Sequence, residues 1–243
     1  MKKSIAAAFA AVVVVTGGVF AATPASALTA SPHVVGGEKA PSTAWAVQLE
    51  ASGGSIPAGY VSTCTGEQVS GSWVLTARHC IDGIGAMNVY HSNSTANRGT
   101  PVAVDRVSAA PTGDIALVHL RSTSALSSYA PLDLTATAKS SGTGTIQGYG
   151  LRANAVQSDG LYQASVALTG ASTDAFGGRA QHVRGVSGAS NHGDSGGPLL
   201  VGGKVVAVCS TGDSADPGAN TSAGSNYALL SQSASWIRST AGI

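Results

Sequence analysis

The sequence predicts an all-β protein, and three observations support this fold class. Serine, threonine, alanine, glycine and valine are abundant and lysine and glutamate scarce, which favours short strands over long amphipathic helices. Short apolar or alternating runs recur along the chain, separated by glycine, serine, proline and asparagine. Helical spacing is clear only near the C-terminus. These patterns are typical of β-barrels or of a β-sandwich.

The strand candidates follow one another at short intervals. In chain order the clearest are residues 45–49, 73–75, 87–90, 102–107, 115–120, 143–149, 161–168, 198–201, 204–209 and 226–230. Ser231 is predicted to cap a closing helix whose apolar face carries Ala234, Trp236 and Ile237. The small, polar segment 122–141 is the best candidate for a crossing between two halves of the chain.

Residues 1–27 have the pattern of an export signal. Lys2 and Lys3 precede an apolar run over residues 5–15, and Ala25-Ser26-Ala27 is a small-residue cleavage site. The alternative is a membrane anchor, but residues 16–18 interrupt the run before it reaches the roughly 20 residues that a spanning helix needs. We therefore expect a secreted, extracellular protein with no membrane partner.

The charge of the exported chain is nearly balanced. Without the signal, 216 residues remain (243 − 27), with 11 basic side chains (13 − 2) against 12 acidic ones and no basic block. This length suits one large all-β domain or two small ones. The charge pattern predicts no nucleic-acid partner.

Three cysteines are present, and in an oxidising compartment two are expected to pair. A hairpin through residues 73–75 can bring Cys64 and Cys80 together. Cys209 ends an apolar run, where a buried and inert thiol is expected. No cluster of His, Cys and Asp has metal-ligand spacing, so we expect no metal and no cofactor.

The segment Gly193-Asp194-Ser195-Gly196-Gly197-Pro198 is the strongest chemical signal. Glycines around Ser195 permit unusual torsions and close approach, so the hydroxyl can be exposed while neighbouring N–H groups converge on one spot. The alternative is a glycine-rich turn before an apolar strand.

A serine nucleophile needs a base, and His79 is the best of six histidines. It follows a strand that looks buried and stands beside Cys80, whereas a surface histidine on a helical turn is the simpler alternative. Asp114 leads directly into an apolar strand and is the best acid to orient it. Asp105 neighbours Arg106 and is more simply a solvent-facing ion pair, and Asp82 and Asp133 lie in loop-like segments.

Chain order separates the known hydrolase designs. Gly193-x-Ser195-x-Gly197 also matches the nucleophile elbow of α/β-hydrolases, but their histidine follows the serine and none follows Ser195 here. The subtilisin order needs an aspartate before the histidine, and only glutamates precede His79 in the exported chain. The order His79, Asp114, Ser195 remains.

From Val34 to its C-terminus the chain closely resembles the chymotrypsin/trypsin-like family of secreted serine endopeptidases, in its compact bacterial form. Four motifs carry the resemblance, namely Val34-Val35-Gly36-Gly37 and residues 76–80, 113–117 and 193–198. The resemblance implies two packed antiparallel six-stranded barrels with a C-terminal helix, within a domain over residues 34–243. The N-terminal barrel would occupy about 46–131, and the C-terminal barrel and helix about 132–243.

The resemblance also implies roles for individual residues. Ser195 would attack the scissile carbonyl, His79 would transfer its proton, and Asp114 would orient the imidazole. The N–H groups of Gly193 and Ser195 would form the oxyanion hole. Ser210 would support Asp114 and, with Gly212, pair with substrate backbone, and the family disulfide would join Cys64 to Cys80.

Activation is implied by Val34. In the family, cleavage before this position frees an amine that pairs with the aspartate before the serine, here Asp194. Residues 28–33 would then be a propeptide. Because the cut follows His33, trypsin-like self-activation is not implied.

Four departures from the family bear on specificity. Ala189 stands at the base of the primary pocket, which predicts a neutral, non-tryptic pocket unless Asp213 or Asp216 reaches inward. Thr211 replaces a tryptophan and Asn191 a cysteine, which removes a disulfide brace. Arg78 replaces a small residue, and its cation either lowers the pKa of His79 or faces solvent.

The sequence thus predicts an active serine endopeptidase that acts on proteins or peptides. We expect a monomer that protein protease inhibitors can bind. The alternatives are a catalytically silent homologue acting as an extracellular binding protein, and a self-limited protease or exported esterase.

Overall fold

The computed structural model describes residues 34–243. In this part of the chain the backbone forms thirteen strands, β1 (Glu38–Lys39), β2 (Ala46–Gly54), β3 (Ser62–Gln68), β4 (Trp73–Thr76), β5 (Ile84–Tyr90), β6 (Val102–Ala109), β7 (Ala116–Leu120), β8 (Thr143–Gly148), β9 (Tyr162–Thr173), β10 (Arg179–Gly185), β11 (Pro198–Val201), β12 (Lys204–Gly212) and β13 (Gly224–Leu229). One helix, α1 (Ala234–Ala241), follows them. No helix in residues 34–243 combines the length and the apolar character needed to cross a membrane.

The first six-stranded barrel closes in the order β2-β3-β4-β7-β6-β5, with β5 pairing back to β2. All of its neighbouring strands are antiparallel. Its interior is filled by apolar side chains that alternate along the strands, including Leu49, Val74, Val89 and Val118.

The second barrel runs β8-β9-β10-β13-β12-β11 and closes because β11 pairs with β8. The short strand β1 is added at β9. Its interior contains Ile146, Val166, Leu199 and Tyr227. The predicted fold class of two six-stranded barrels with a C-terminal helix is confirmed.

A third apolar cluster joins the two barrels. Leu75, Ile115 and Leu117 from the first barrel pack in one cluster with residues of the second barrel and of α1, among them Val208 and Ile237. Because both barrels bury apolar surface here, the loops that meet at this junction are held in fixed positions.

The start of the closing helix differs from the prediction. A 3-10 turn, Leu230–Ser233, precedes α1, and Ser233 rather than Ser231 takes the N-cap position. The Ser233 hydroxyl makes no capping bond and instead donates to the carbonyl oxygen of Thr112 at 2.8 Å. This hydrogen bond joins the start of α1 to the loop between β6 and β7 of the first barrel.

The segment 122–141 connects the last strand of the first barrel to the first strand of the second, as its composition predicted. The expected signal at 1–27 and propeptide at 28–33 lie outside the described residues. The expected barrel limits, with their boundary at about residue 131, stay predictions.

Candidate active site

A cavity of about 360 Å³ opens where the two barrels meet. One wall carries His79 from the first barrel. The other walls come from the second barrel and carry Ser190, Asn191, His192, Ser195, Cys209, Ser210, Thr211, Gly212, Asp213, Ser214, Ala215 and Pro217. Two of the three expected triad members therefore border one cavity.

His79 lies in the 3-10 turn Arg78–Cys80 that follows β4. A disulfide joins Cys80 to Cys64 on β3, which confirms the predicted pair and fastens this turn to the barrel. Cys209 is a buried free thiol, as expected, and it also borders the cavity. Burial raises the pKa of its thiol to about 12, so it is not a thiolate at neutral pH.

Asp114 is fully buried and holds His79 through two contacts. The ring Nδ1 of His79 lies 2.7 Å from Oδ2 of Asp114, and the His79 backbone N–H donates to Oδ1 at 2.9 Å. Ser210 donates its hydroxyl to Oδ2 at 2.7 Å. Burial by itself raises the pKa of this carboxyl, but the hydrogen bonds from His79 and Ser210 hold it below the usual range. Asp114 is thus an ionised acceptor aimed at the imidazole.

Sequence reasoning missed Asp174, which supports Asp114 from the second barrel. Its Oδ2 accepts the backbone N–H of Asp114 at 3.0 Å, while its Oδ1 accepts the N–H groups of Phe176 and Gly178, each at 2.9 Å. The carboxylate is buried and lies 60 residues from Asp114 along the chain. Only a local Asp-x-x-Gly turn signal marks it in the sequence.

Ser195 is held by its backbone against the first barrel, since its carbonyl oxygen accepts the Thr65 N–H at 2.9 Å. Gly193 has a φ of +93°, and a β-carbon there would lie 2.9 Å from Gly150 Cα, so glycine is required. Within residues 34–243, the N–H groups of Gly193 and Ser195 donate to no protein acceptor. They are available to bind an oxyanion.

The structure does not join every expected pair. Among the described residues, Ser195 Oγ and His79 make no direct hydrogen bond, a contact that often tightens only when substrate binds. Asp194 is buried, and its oxygens accept the N–H groups of Gly150 at 2.8 Å and Asn191 at 2.9 Å. No ion pair of Asp194 occurs within the described chain, although Val34 is also buried. Burial raises the pKa of Asp194 to about 7.

Ala189, the residue expected at the base of the specificity pocket, does not line the cavity, whereas the next residue, Ser190, does. Ala189 is 1% exposed and its N–H donates to the Val35 carbonyl at 3.0 Å. The hydroxyl oxygens of Ser190 and Ser225 lie 2.6 Å apart. Asp213 borders the cavity, whereas Asp216 does not line it and accepts the N–H of Gly218.

Two surface residues have other partners than the sequence suggested. The Arg78 guanidinium stacks on Phe176, with its carbon 4.2 Å from the ring centroid, and its Nε lies 3.9 Å from Asp82. Asp105 pairs with His119 at 2.7 Å, not with Arg106. The register of β6 and β7 shifts between Val104 and Arg106, so Asp105 and Arg106 both lie near His119.

A metal does not fit the cluster of ligand atoms nearest the cavity in residues 34–243. The sulfur atoms of Cys64 and Cys80 and the ring of His79 lie within 4.8 Å of one another. The two sulfurs are bonded in the disulfide, so no thiolate is left to bind an ion.

Comparisons with known proteins agree with this fold. The Trypsin family model matches residues 34–237. Among solved structures, neuropsin, a serine protease expressed in the limbic system of mouse brain, shares 21% identity at a TM-score of 0.67. The match covers 84% of this chain and 98% of the neuropsin chain, and at that identity it shows a common fold. No curated protein sequence matches the chain. With a family model spanning most of its length and the fold to match, the chain belongs to the trypsin family of serine endopeptidases.

Proposed function

We propose that this protein is a secreted endopeptidase that hydrolyses peptide bonds through His79, Asp114 and Ser195. The supporting observation is the buried Asp114 carboxylate, which binds His79 through both its ring and its backbone at the edge of the cavity that contains Ser195. Ser195 attacks the carbonyl, His79 takes its proton and then protonates the leaving amine, and an acyl-enzyme forms. Gly193 and Ser195 donate their N–H groups to the oxyanion.

Substrate binds as an added strand along β12. Pairing of β12 with β11 begins at Val208 and continues towards Lys204, whereas pairing with β13 continues through Gly212. At Ser210, Thr211 and Gly212 the edge of β12 that faces away from β13 is therefore unpaired and open to a peptide. We propose a primary pocket whose base is formed at Ala189 and is neutral, so that the pocket favours uncharged side chains. We also propose that the enzyme is a monomer and that protein inhibitors can bind it.

Activation is proposed to follow cleavage before Val34. The Asp194 carboxylate is buried with backbone N–H partners, and its raised pKa reflects the cost of an uncompensated charge. An amine created at Val34 supplies the missing cation. Residues 1–27 would direct export and residues 28–33 would be removed on activation.

Labelling with a fluorophosphonate tests the activity. We expect the processed chain to be labelled and to cleave peptide amides, and Ser195→Ala to abolish both. A folded, processed chain without label would favour the silent binding protein, and turnover of esters alone would favour an esterase. N-terminal sequencing of active enzyme should begin at Val34; any other start contradicts the proposed activation.

A further inference from the structure

A row of polar side chains crosses the outer face of the second barrel and ends at the cavity. It starts at Thr169 on β9, continues through His182 on β10 and Asn226 on β13, and reaches Thr211 on β12. His182 pairs with Asn226 in register, and Asn226 pairs with Thr211. Asp213 directly extends this end of β12, since its N–H donates to the Gly224 carbonyl at 3.0 Å.

The ring of His182 has a hydrogen-bond partner at each nitrogen. The Thr169 hydroxyl lies against the ring Nδ1 and 3.1 Å from the His182 carbonyl oxygen. The ring Nε2 faces both oxygens of Asp213, at 3.0 and 3.2 Å, and donates to them. Nδ1 accepts the Thr169 hydroxyl when the ring is neutral and donates to the hydroxyl oxygen when the ring is protonated. The contact with Asp213 is therefore kept in both charge states, and only a protonated ring offsets the charge of the carboxylate.

Asp213 carries the one carboxylate among the described residues that line the cavity. Among the described residues that line it, the other ionisable groups are His79 and His192 and the buried thiol of Cys209, with no lysine or arginine. The Asp213 side chain is 51% exposed, so an incoming group can reach it without displacing the fold. When His182 is neutral, this wall carries one uncompensated negative charge.

Strand geometry assigns the substrate position that faces this charge. This step rests on the proposed function and takes the substrate strand as antiparallel to β12, with the residue before the cleaved bond opposite Ser210 and the third residue before it opposite Gly212. The fourth residue then lies opposite Asp213. Thr211 and Asp213 share one face of β12, as the contacts of Asn226 with Thr211 Oγ1 at 3.1 Å and Asp213 Oδ1 at 3.5 Å show. The fourth side chain of an added strand projects to that face.

We propose that Asp213 selects a cationic side chain, lysine or arginine, at the fourth residue before the cleaved bond, and that His182 makes this selection depend on pH. At acidic pH the imidazolium offsets the Asp213 carboxylate, and the subsite has little preference. Loss of the ring proton as pH rises removes this offset and leaves the carboxylate free for a substrate cation. Selectivity for a cation thus rises with pH.

Two other charged groups lie near this pair. Arg184 is on the same face of β10 two residues beyond His182, and its Nε donates to the Ser222 carbonyl at 3.3 Å. Asp216 follows in the next loop, where its side chain accepts the Gly218 N–H at 2.7 Å. Neither group pairs with Asp213 within the described chain, so the net charge at this position depends on His182.

Two otherwise identical peptides, with lysine or glutamine at the fourth position before the cut, test the proposal. The measured quantity is the ratio of their kcat/KM values from pH 5.5 to pH 8.5. The ratio removes every effect of pH on catalysis that the two peptides share. We expect a ratio near one at pH 5.5 that rises to about two- to fivefold at pH 8.5, as an exposed ion pair allows, and that falls with added salt.

Variants locate the effect. Asp213→Asn should bring the ratio to one at every pH, while the matched control Asp216→Asn, an exposed acid of the adjoining loop, should keep the wild-type profile. His182→Gln should give the high ratio already at pH 5.5. Fluorophosphonate labelling of each variant verifies that its active site is folded.

The contradicting results are distinct. A wild-type ratio near one at pH 8.5, or an elevated ratio that survives Asp213→Asn, overturns the subsite. An elevated ratio that does not change with pH overturns the role of His182. Failure of the labelled wild-type enzyme to cut either peptide would instead contradict the proposed peptidase activity.

Discussion

Replacing Asp194 by asparagine should remove a pH-dependent loss of stability from the unprocessed chain. The carboxylate is 2% exposed and accepts two backbone N–H groups, from Gly150 and Asn191. These bonds offset only part of the cost of burying its charge, and burial raises its pKa to about 7 from an ordinary value of 3.8. Asparagine keeps the size of the side chain and carries no charge.

The magnitude follows from the pKa difference. Below pH 3.8 the carboxyl is protonated in the folded and unfolded chains, so its ionisation costs nothing. As pH rises from 3.8 to about 7, the unfolded chain releases the proton while the folded chain retains it, and the free energy of unfolding falls. About three pH units at about 1.4 kcal/mol each give a loss of about 4 kcal/mol at pH 7.5.

Urea unfolding of a precursor that begins at Leu28, in a Ser195→Ala background that prevents self-cleavage, measures this loss. The free energy of unfolding is compared between this precursor and its Asp194→Asn variant from pH 4 to pH 7.5. Both share every other titrating group, so the pH-dependent part of their difference isolates Asp194. A second pair that begins at Val34 should show little decline, because the new ammonium pairs with the carboxylate.

Two results would refute this reasoning. A difference constant within about 1 kcal/mol in the precursor pair would show that the buried Asp194 charge carries no penalty. A full decline in the pair that begins at Val34 would show that the new amine does not reach Asp194, and the proposed activation would fail.

Three further predictions concern residues around the junction of the barrels. Glu67 is fully buried, neither of its carboxylate oxygens has a hydrogen-bond partner, and burial raises its pKa. In urea unfolding, Glu67→Gln should therefore raise the free energy of unfolding by about 1–3 kcal/mol more at pH 8 than at pH 4. An equal effect at both pH values would contradict this. Removing the Cys64–Cys80 disulfide by a double alanine substitution should lower the free energy of unfolding by about 3 kcal/mol, as its sequence separation of 16 suggests, and added reductant should no longer affect the variant. The Asp174→Asn variant keeps one side-chain oxygen for the hydrogen bonds of its own turn, but its N–H₂ group faces the N–H of Asp114 and cannot accept from it. We therefore expect kcat to fall about tenfold with KM nearly unchanged. A change in KM alone would argue against this positioning role.

Much of the fold could be predicted because apolar alternation is a local property. Ile115, Leu117 and the residues around Leu75 are buried at the barrel junction, as their apolar runs indicated. Strand β3 could not be found in this way. Its sequence Ser-Thr-Cys-Thr-Gly-Glu-Gln is polar, although Glu67 and Gln68 are buried and the strand pairs with β2 and β4.

Chain order, residue type and four motifs that resemble those of a known family predicted the family and the disulfide, which are confirmed, and made His79, Asp114 and Ser195 the candidate residues. A histidine after a buried strand, an acid before an apolar strand and a serine among glycines each have a physical requirement that is visible in a few consecutive residues. The glycine at position 193 is such a case, since its positive φ is a local demand of the backbone.

Only the tertiary structure decided which distant groups meet at the cavity and behind it. Asp174 meets Asp114 across 60 residues, and His182 meets Asp213 across 31, each from a different strand or loop. The alternation of one strand cannot show which side chain a neighbouring strand places beside it. Closure of the second barrel sets that register, and with it the charge at the edge of the cavity.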